Sequence, residues 1–388
     1  MSASRTFGIA MRANTTVAPR RCSHEPVDEA ALLITCLRGL PCIVPEDTNW
    51  ELLLDLAREN GVLLLLQQAL LALGADVPGF FRDAAAECRA AAERLAGELE
   101  CLLRGFQGLH VEALAFKGPT LALALYGDVT LRSSNDLDLL VRHDDFLRCE
   151  VWLINQGFIA LGPASEHDRR FVRDGLLVEL HFELAAYRDF PLDVDGIWRR
   201  SRPADFCGQF VRAMSDIDLV LYLCAHGLKH GFSRLIWILD VARSLHGWHR
   251  NAYEEMMRQA RRQGLEPHLL IGCEVVRSMF PQQLPEALDA VIIMSPKAAK
   301  RARHAAARLF SENLEVVIND FRSFYLQAEP GALKRWRYRF GYLGPTYTDY
   351  LWARSHRIYP GLMVILRPFR LLHKYGLGRV WRVLFPEQ

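Results

Sequence analysis

Asp136 and Asp138 stand two residues apart at the head of the apolar run Leu137-Asp138-Leu139-Leu140-Val141. In a β-strand, residues i and i+2 point to the same face. The two carboxylates are therefore aimed together, with Leu137 and Leu139 turned toward a core. Converging carboxylates repel unless a positive charge sits between them, and a hard divalent cation such as Mg2+ or Mn2+ prefers such oxygen ligands. Upstream lies Phe116-Lys117-Gly118-Pro119-Thr120, a lysine at a glycine turn, and Arg132 and Ser134 directly precede the pair. A cation held on two aspartates beside a glycine turn, a lysine and an arginine suits a phosphate chain.

An Asp-x-Asp spacing alone is weak, and the chain carries a second copy at Asp216-Ile217-Asp218. There Ser215 precedes the pair and apolar residues follow at helical spacing as far as His230. That pattern predicts an N-cap and an acidic first helical turn, favoured by the helix dipole.

The elements around Asp136 support a different reading of the first pair. Val111 to Phe116 reads as a strand that delivers Lys117-Gly118, and Thr120 to Tyr126 as a short helix behind the turn. Leu137 to Val141 is a second strand. Asp144 is a plausible N-cap for a helix from Asp145 to Asn155, and Gly157 to Leu161 reads as a third strand. Asp174-Gly175 between Phe171-Val172-Arg173 and Leu176-Leu177-Val178-Glu179 predicts a tight β-hairpin. On its returning strand Glu179, His181 and Glu183 share a face by period two. A strand beside Asp136 and Asp138 would bring Glu179 to them and complete a carboxylate triad.

These residues carry a resemblance. Phe116-Lys117-Gly118, Tyr126-Gly127, Arg132, Asp136 to Val141 and Val178-Glu179-Leu180-His181 are similar to the uncharacterised nucleotidyltransferase family of the polymerase-β-like superfamily. The similarity extends from near Trp50 through His226, His230, Trp237 and Asp240. It implies an α+β fold, a small mixed sheet with helices flanked by helical regions. It also implies magnesium-dependent transfer of a nucleoside monophosphate from an NTP to a hydroxyl of a small-molecule, sugar or peptide acceptor. Asp136, Asp138 and Glu179 would then hold Mg2+ (or Mn2+), with Glu179 bridging a second metal or taking the acceptor proton. Lys117, Gly118 and Ser134 would hold the nucleotide, and Arg132 would neutralise the departing pyrophosphate. Structural alternatives are a turn lysine at 117 and pairing of Arg132 with Asp128 or Asp136. The superfamily usually has Gly-Ser after its first strand, about a dozen residues before the Asp pair. Here the turn is Lys117-Gly118-Pro119, and 17 residues separate Gly118 from Asp136. That departure leaves kinase-like phosphoryl transfer, or nucleotide binding without catalysis, as rival readings.

The remainder of the chain is mainly helical in pattern. A helical lobe is expected over 27–107, the nucleotidyltransferase core over 108–205, a helical domain over 206–328 and a basic, aromatic tail over 329–388. Within the lobe, Ala30 to Leu40, Trp50 to Arg58, Val62 to Leu73 and a long segment from Cys88 to Phe106 show helical periodicity. His226 and His230 lie four apart on one helix face, and with Asp240 they offer a zinc-like set. Gly227 stands where a zincin would carry glutamate, which argues against that site. Residues 1–26 hold four arginines and no acid before Glu25; they read as a disordered leader rather than a transit peptide.

Nine scattered cysteines without Cys-x-x-Cys spacing read as reduced thiols of a cytoplasmic protein. No apolar run reaches the ~18 residues that a spanning helix needs. From Gly331 onward there are eleven Lys/Arg and two acids, interleaved with aromatics. Such a tail folds back on an acidic body, meets an anionic membrane surface or lipid-linked acceptor, or, least favoured, binds nucleic acid.

Overall fold

Alternation along the central strands sorts the molecule into two layers. The sheet contains β1 (Ala113–Ala115), β2 (Asp136–Val141), β3 (Ile159–Leu161), β4 (Asp168–Arg173), β5 (Leu176–His181), β6 (Arg202–Phe206) and β7 (Gln209–Ala213). Their order is β3-β4-β5-β2-β1-β7-β6. β2 pairs parallel with β5 and antiparallel with β1, and β1 pairs parallel with β7. Leu137, Leu139 and Val141 of β2 and Val178 and Leu180 of β5 join one buried apolar cluster. The intervening residues Asp136, Asp138, Glu179 and His181 therefore occupy the opposite face.

The computed structural model describes residues 28–162, 167–184 and 192–292 without a break, and beyond them only short stretches, chiefly 332–341 and 362–377. The leader over 1–26 and most of the basic tail lie outside the described residues.

Four helices form the N-terminal lobe: α1 (Glu29–Leu37), α2 (Trp50–Glu59), α3 (Leu63–Ala72) and α4 (Gly79–Gly108). At 30 residues, α4 is about 45 Å long and serves both layers. Phe81, Ala84 and Ala85 near its start pack in the helical core. Leu99, Leu102 and Phe106 near its end pack against the sheet. Next come α5 (Gly118–Tyr126), α6 (His143–Asn155) and α7 (Val194–Arg200). The later helices are α8 (Asp216–Lys229), α9 (Leu235–Ser244), α10 (Arg250–Gln263), α11 (Glu266–Met279) and α12 (Glu286–Ile292). Their apolar faces, with those of α1 to α3, form the larger core.

The Asp174-Gly175 turn forms as expected, with φ of 49° and 80°, the positive angles that a type I′ hairpin turn requires at both positions. Two expectations change. A second hairpin, β6–β7, occupies 202–213 and straddles the expected boundary at 205/206, so the sheet runs into the segment expected to be helical. Cys207 turns it at φ 52° beside Gly208 at φ 78°; Cys-Gly is a poor hairpin signal, and Pro203 masks the strand. Proline is tolerated there because β6 is an edge strand. Helix α6 also starts two residues early. Arg142 is its N-cap, and Asp144 lies inside the acidic first turn without capping it.

In the described part of the tail, Pro368 lies inside the helix Met363–Tyr375. Losing one backbone donor does not stop a helix held by its other turns. Among the described residues, no helix is long and apolar enough to cross a membrane.

The two layers are locked by a buried ion pair. Arg132 Nε donates to Asp240 on α9 at 2.9 Å and 3.2 Å, and Tyr126 Oη at the end of α5 donates to the same carboxylate at 2.9 Å. Removing one member of such a pair strands the other charge out of water, at a cost of about 3–5 kcal/mol. Asp240→Ala is therefore expected to lower unfolding free energy by about that amount, read from the urea midpoint. Leu239→Ala on the same helix provides a cavity-forming comparison.

Candidate active site

Strand pairing assembles the site. Parallel register sets Asp138 opposite Glu179 and Leu140 opposite His181, so carboxylates from two strands and an imidazole share one face. The turn after β1 adds Lys117, the N-cap of α5, and Gly118, its first residue. Gly118 has φ +60°, and a Cβ there would stand 3.5 Å from the Asp136 carbonyl oxygen. Glycine thus supplies a left-handed turn that brings the α5 N-terminus against the head of β2. Pro119 costs no hydrogen bond in the first helical turn.

Asp138 is the centre of this cluster. Its side chain is 0% exposed. Lys117 Nζ and His181 Nε2 each lie 3.1 Å from its Oδ1, while Oδ2 is buried with no hydrogen-bond partner among the described atoms. His181 Nε2 is also 3.5 Å from Glu179 Oε2. Burial alone would raise the Asp138 carboxyl, but Lys117 and the His181 hydrogen bond hold it well below the usual carboxylate range. Burial works against the charges on Lys117 and His181 as well. Asp138 nonetheless lifts the lysine above its ordinary value, and its hydrogen bond, with that from Glu179, lifts the imidazole to about 9. Asp136 behaves differently: burial, and then the like charge of Asp138, raise its carboxyl against the pull of Lys117.

The donor set fits a hard cation. Ligand atoms of Asp138, Glu179 and His181 all lie within 4.8 Å of one another. The unpartnered Asp138 Oδ2 is the kind of buried oxygen that demands a counter-charge. Three carboxyl groups, at 136, 138 and 179, lie beside the basic groups of Lys117 and His181, and with the imidazole raised to about 9 the donors for a cation are the carboxyl oxygens. Around buried Asp138, the Glu179 and Lys117 side chains are 23% and 16% exposed.

Each residue singled out in the sequence can now be located. Asp138 and Glu179 face each other as expected. Asp136 lies on the same face but outside the set of ligand atoms within 4.8 Å, and Ser134 Oγ holds it at 3.3 Å. Lys117 pairs with Asp138 and is more than a turn lysine. Arg132 pairs with neither Asp128 nor Asp136: Asp128 meets Arg89 at 3.6 Å, and Arg132 is committed to Asp240. The same pair removes Asp240 from any zinc set with His226 and His230. Gly227 also has a packing reason, since a Cβ there would come within 2.2 Å of the Phe232 ring. At the decoy pair, Ser215 caps α8 and Asp218 pairs with Arg200 at 2.8 Å, as the helical reading predicts.

The sequence reading placed His181 on the right face but gave it no role; its two-residue spacing from Glu179 was the available signal. Tyr222 was not singled out at all. Its ring lies 5.9 Å from Lys117 Nζ and 5.2 Å from Phe116, across about a hundred residues of chain.

One pH response follows from the helix beside this site. Burial, with Lys229 and Lys117 adding like charge, depresses the His230 imidazole to about 4. The unfolded chain therefore takes up that proton first, near pH 6.5. Stability from this group is present above about 6.5 and is lost as pH falls toward 4. Between pH 7 and 4.5 the parent should lose about 2 kcal/mol more unfolding free energy than His230→Gln, measured by urea denaturation at both pH values.

Comparison with known proteins agrees with the geometry. The model of a family described as uncharacterised nucleotidyltransferase matches residues 46–281, which contain every residue of the cluster. A solved structure of an antigenic nucleotidyltransferase-like protein from Paracoccidioides brasiliensis is 16% identical, with 55% of this chain and 93% of that chain covered and a TM-score of 0.27. No curated protein matches. The family match covers more than half of the chain, which folds as the expected α+β structure around a mixed sheet: the protein belongs to the uncharacterised nucleotidyltransferase family.

Proposed function

We propose that the protein is a divalent-metal-dependent nucleotidyltransferase that moves the NMP group of an NTP to an acceptor hydroxyl and releases pyrophosphate. One observation carries this reading: Asp138 is fully buried, is kept ionised by two cations on one oxygen, and has its other oxygen unpartnered. A structural ion pair has no need of that free oxygen.

Asp138 and Glu179 would hold the cation, Mg2+ or Mn2+, and Asp136, now held on Ser134, would complete the set only by turning toward them. Bound there, the cation supplies the positive charge that draws in triphosphate oxygens and offsets the charge gathered on them during transfer. Lys117 and the backbone N–H groups at the start of α5 bind phosphate oxygens, as lysines and helix N-termini do. His181 positions Asp138 and fixes which of its oxygens faces the substrate. Arg132, expected to meet the departing pyrophosphate, is instead neutralised by Asp240 and holds the helices in place. In the transfer, the acceptor oxygen bonds to the α-phosphorus, and the bond from that phosphorus to the bridging oxygen breaks. Pyrophosphate leaves with the electron pair, and the hydroxyl proton passes to Glu179, the most exposed carboxylate bonded into the Asp138–His181 cluster.

With Mg2+, each of the four NTPs and a panel of hydroxyl acceptors, pyrophosphate release is expected. Asp138→Asn and Glu179→Gln should each reduce it at least about 100-fold. Glu179→Gln leaves the Lys117–Asp138 pair in place, and a parent-like urea midpoint for it separates lost activity from unfolding. Pyrophosphate released by both variants at the parent's rate would refute the site. ADP in place of pyrophosphate would reassign the reaction to phosphoryl transfer.

A further inference from the structure

Beside the carboxylates stands a group of rings that the proposed reaction leaves unused. Tyr222, His226 and His230 recur every four residues on α8 and so share one helix face, where Trp237 of α9 meets them. Tyr222 stacks on His226 at 5.7 Å with 21° between the ring planes. His226 lies 4.7 Å from His230 and 5.5 Å from Trp237, and His230 lies 5.3 Å from Trp237. The array starts at Lys117, whose Nζ is 5.9 Å from the Tyr222 ring. It runs outward from buried Tyr222 to part-exposed His226, His230 and Trp237.

We infer that His226, His230 and Trp237 form the shelf that receives the nucleobase of the NTP whose phosphates lie at Lys117. The inference rests on the nucleotidyl-transfer reading and adds the part of the substrate that these rings select. A base is tied to its phosphates through one ribose, so its platform must begin where the phosphate-binding lysine ends, as this one does. Flat rings present π-faces on which any base stacks. Among the described residues no hydrogen bond reaches either imidazole. Burial, followed by the positive charge of Lys117 on His226 and of Lys229 on His230, keeps both rings uncharged at neutral pH. A neutral imidazole carries one donor and one acceptor nitrogen, which matches the mixed donors and acceptors of a base edge. A cationic shelf would instead draw phosphate away from Lys117.

The test compares binding of an NTP and of inorganic tripolyphosphate, both with Mg2+, by calorimetry. The parent should bind the NTP at least about tenfold more tightly than tripolyphosphate. Trp237→Ala and His230→Ala should each weaken NTP binding about 5- to 100-fold and leave tripolyphosphate unchanged. Variants that bind the NTP as the parent does overturn the shelf while the phosphate site stands. Equal loss of both ligands overturns it too, because the rings would then be packing only. If the parent binds neither ligand, the phosphate site fails first and the shelf falls with it.

Discussion

Asp138 is an ionised carboxylate sealed from water, and most of the site follows from making that state tolerable. An isolated buried carboxylate would take up a proton instead of staying charged. Lys117 and His181 prevent this, and they come from two different elements: the turn between β1 and α5, and the strand β5. Each constrains the backbone that carries it. Lysine at the N-cap needs the left-handed glycine behind it, and the imidazole needs β5 in parallel register with β2. One buried charge thus ties three segments of chain to one point.

A second buried ion pair does a different task. Arg132 lies just before β2, while Asp240 lies on α9 in the helical layer, 108 residues later. Together with Tyr126 they fasten the helices to the open face of the sheet, and α4 spans both layers from the other side. Helix α8 is thereby held where Tyr222 approaches Lys117. The first pair makes chemistry available; the second places the wall that shapes the space around it. Both depend on full pairing, since a buried charge without its partner is more costly than an apolar substitute.

Much of the core was readable from local pattern. Period-two alternation put Asp136, Asp138 and Glu179 on one face, and Asp174-Gly175 announced its hairpin because few other dipeptides accept positive φ twice. Helical spacing gave the N-terminal lobe, and Ser215 marked the Asp216/Asp218 pair as a helix start. What local pattern missed was long-range or weakly signalled. Nothing near Arg132 indicates that its partner is Asp240 and not Asp128 or Asp136. His181 was visible on the correct face, but its part in fixing Asp138 depends on distances only the assembled sheet provides. Hairpin β6–β7 was hidden by a Cys207-Gly208 turn and by a proline on its edge strand. The four-residue spacing of His226 and His230 was plain, whereas the lysine that their helix faces was not.

The place of β7 in the sheet has a consequence for how the chain is made. β1 is an interior strand, yet its second neighbour is synthesised almost a hundred residues after it. Until β7 emerges, the bonding edge of β1 stays bare beside the forming carboxylate cluster, a template for pairing with the wrong chain. A fragment ending near residue 205, although it contains every carboxylate of the site, would carry that exposed edge permanently. A fragment that keeps the sheet whole therefore extends at least through Ala213, and one that also keeps the partner of Arg132 extends past Asp240.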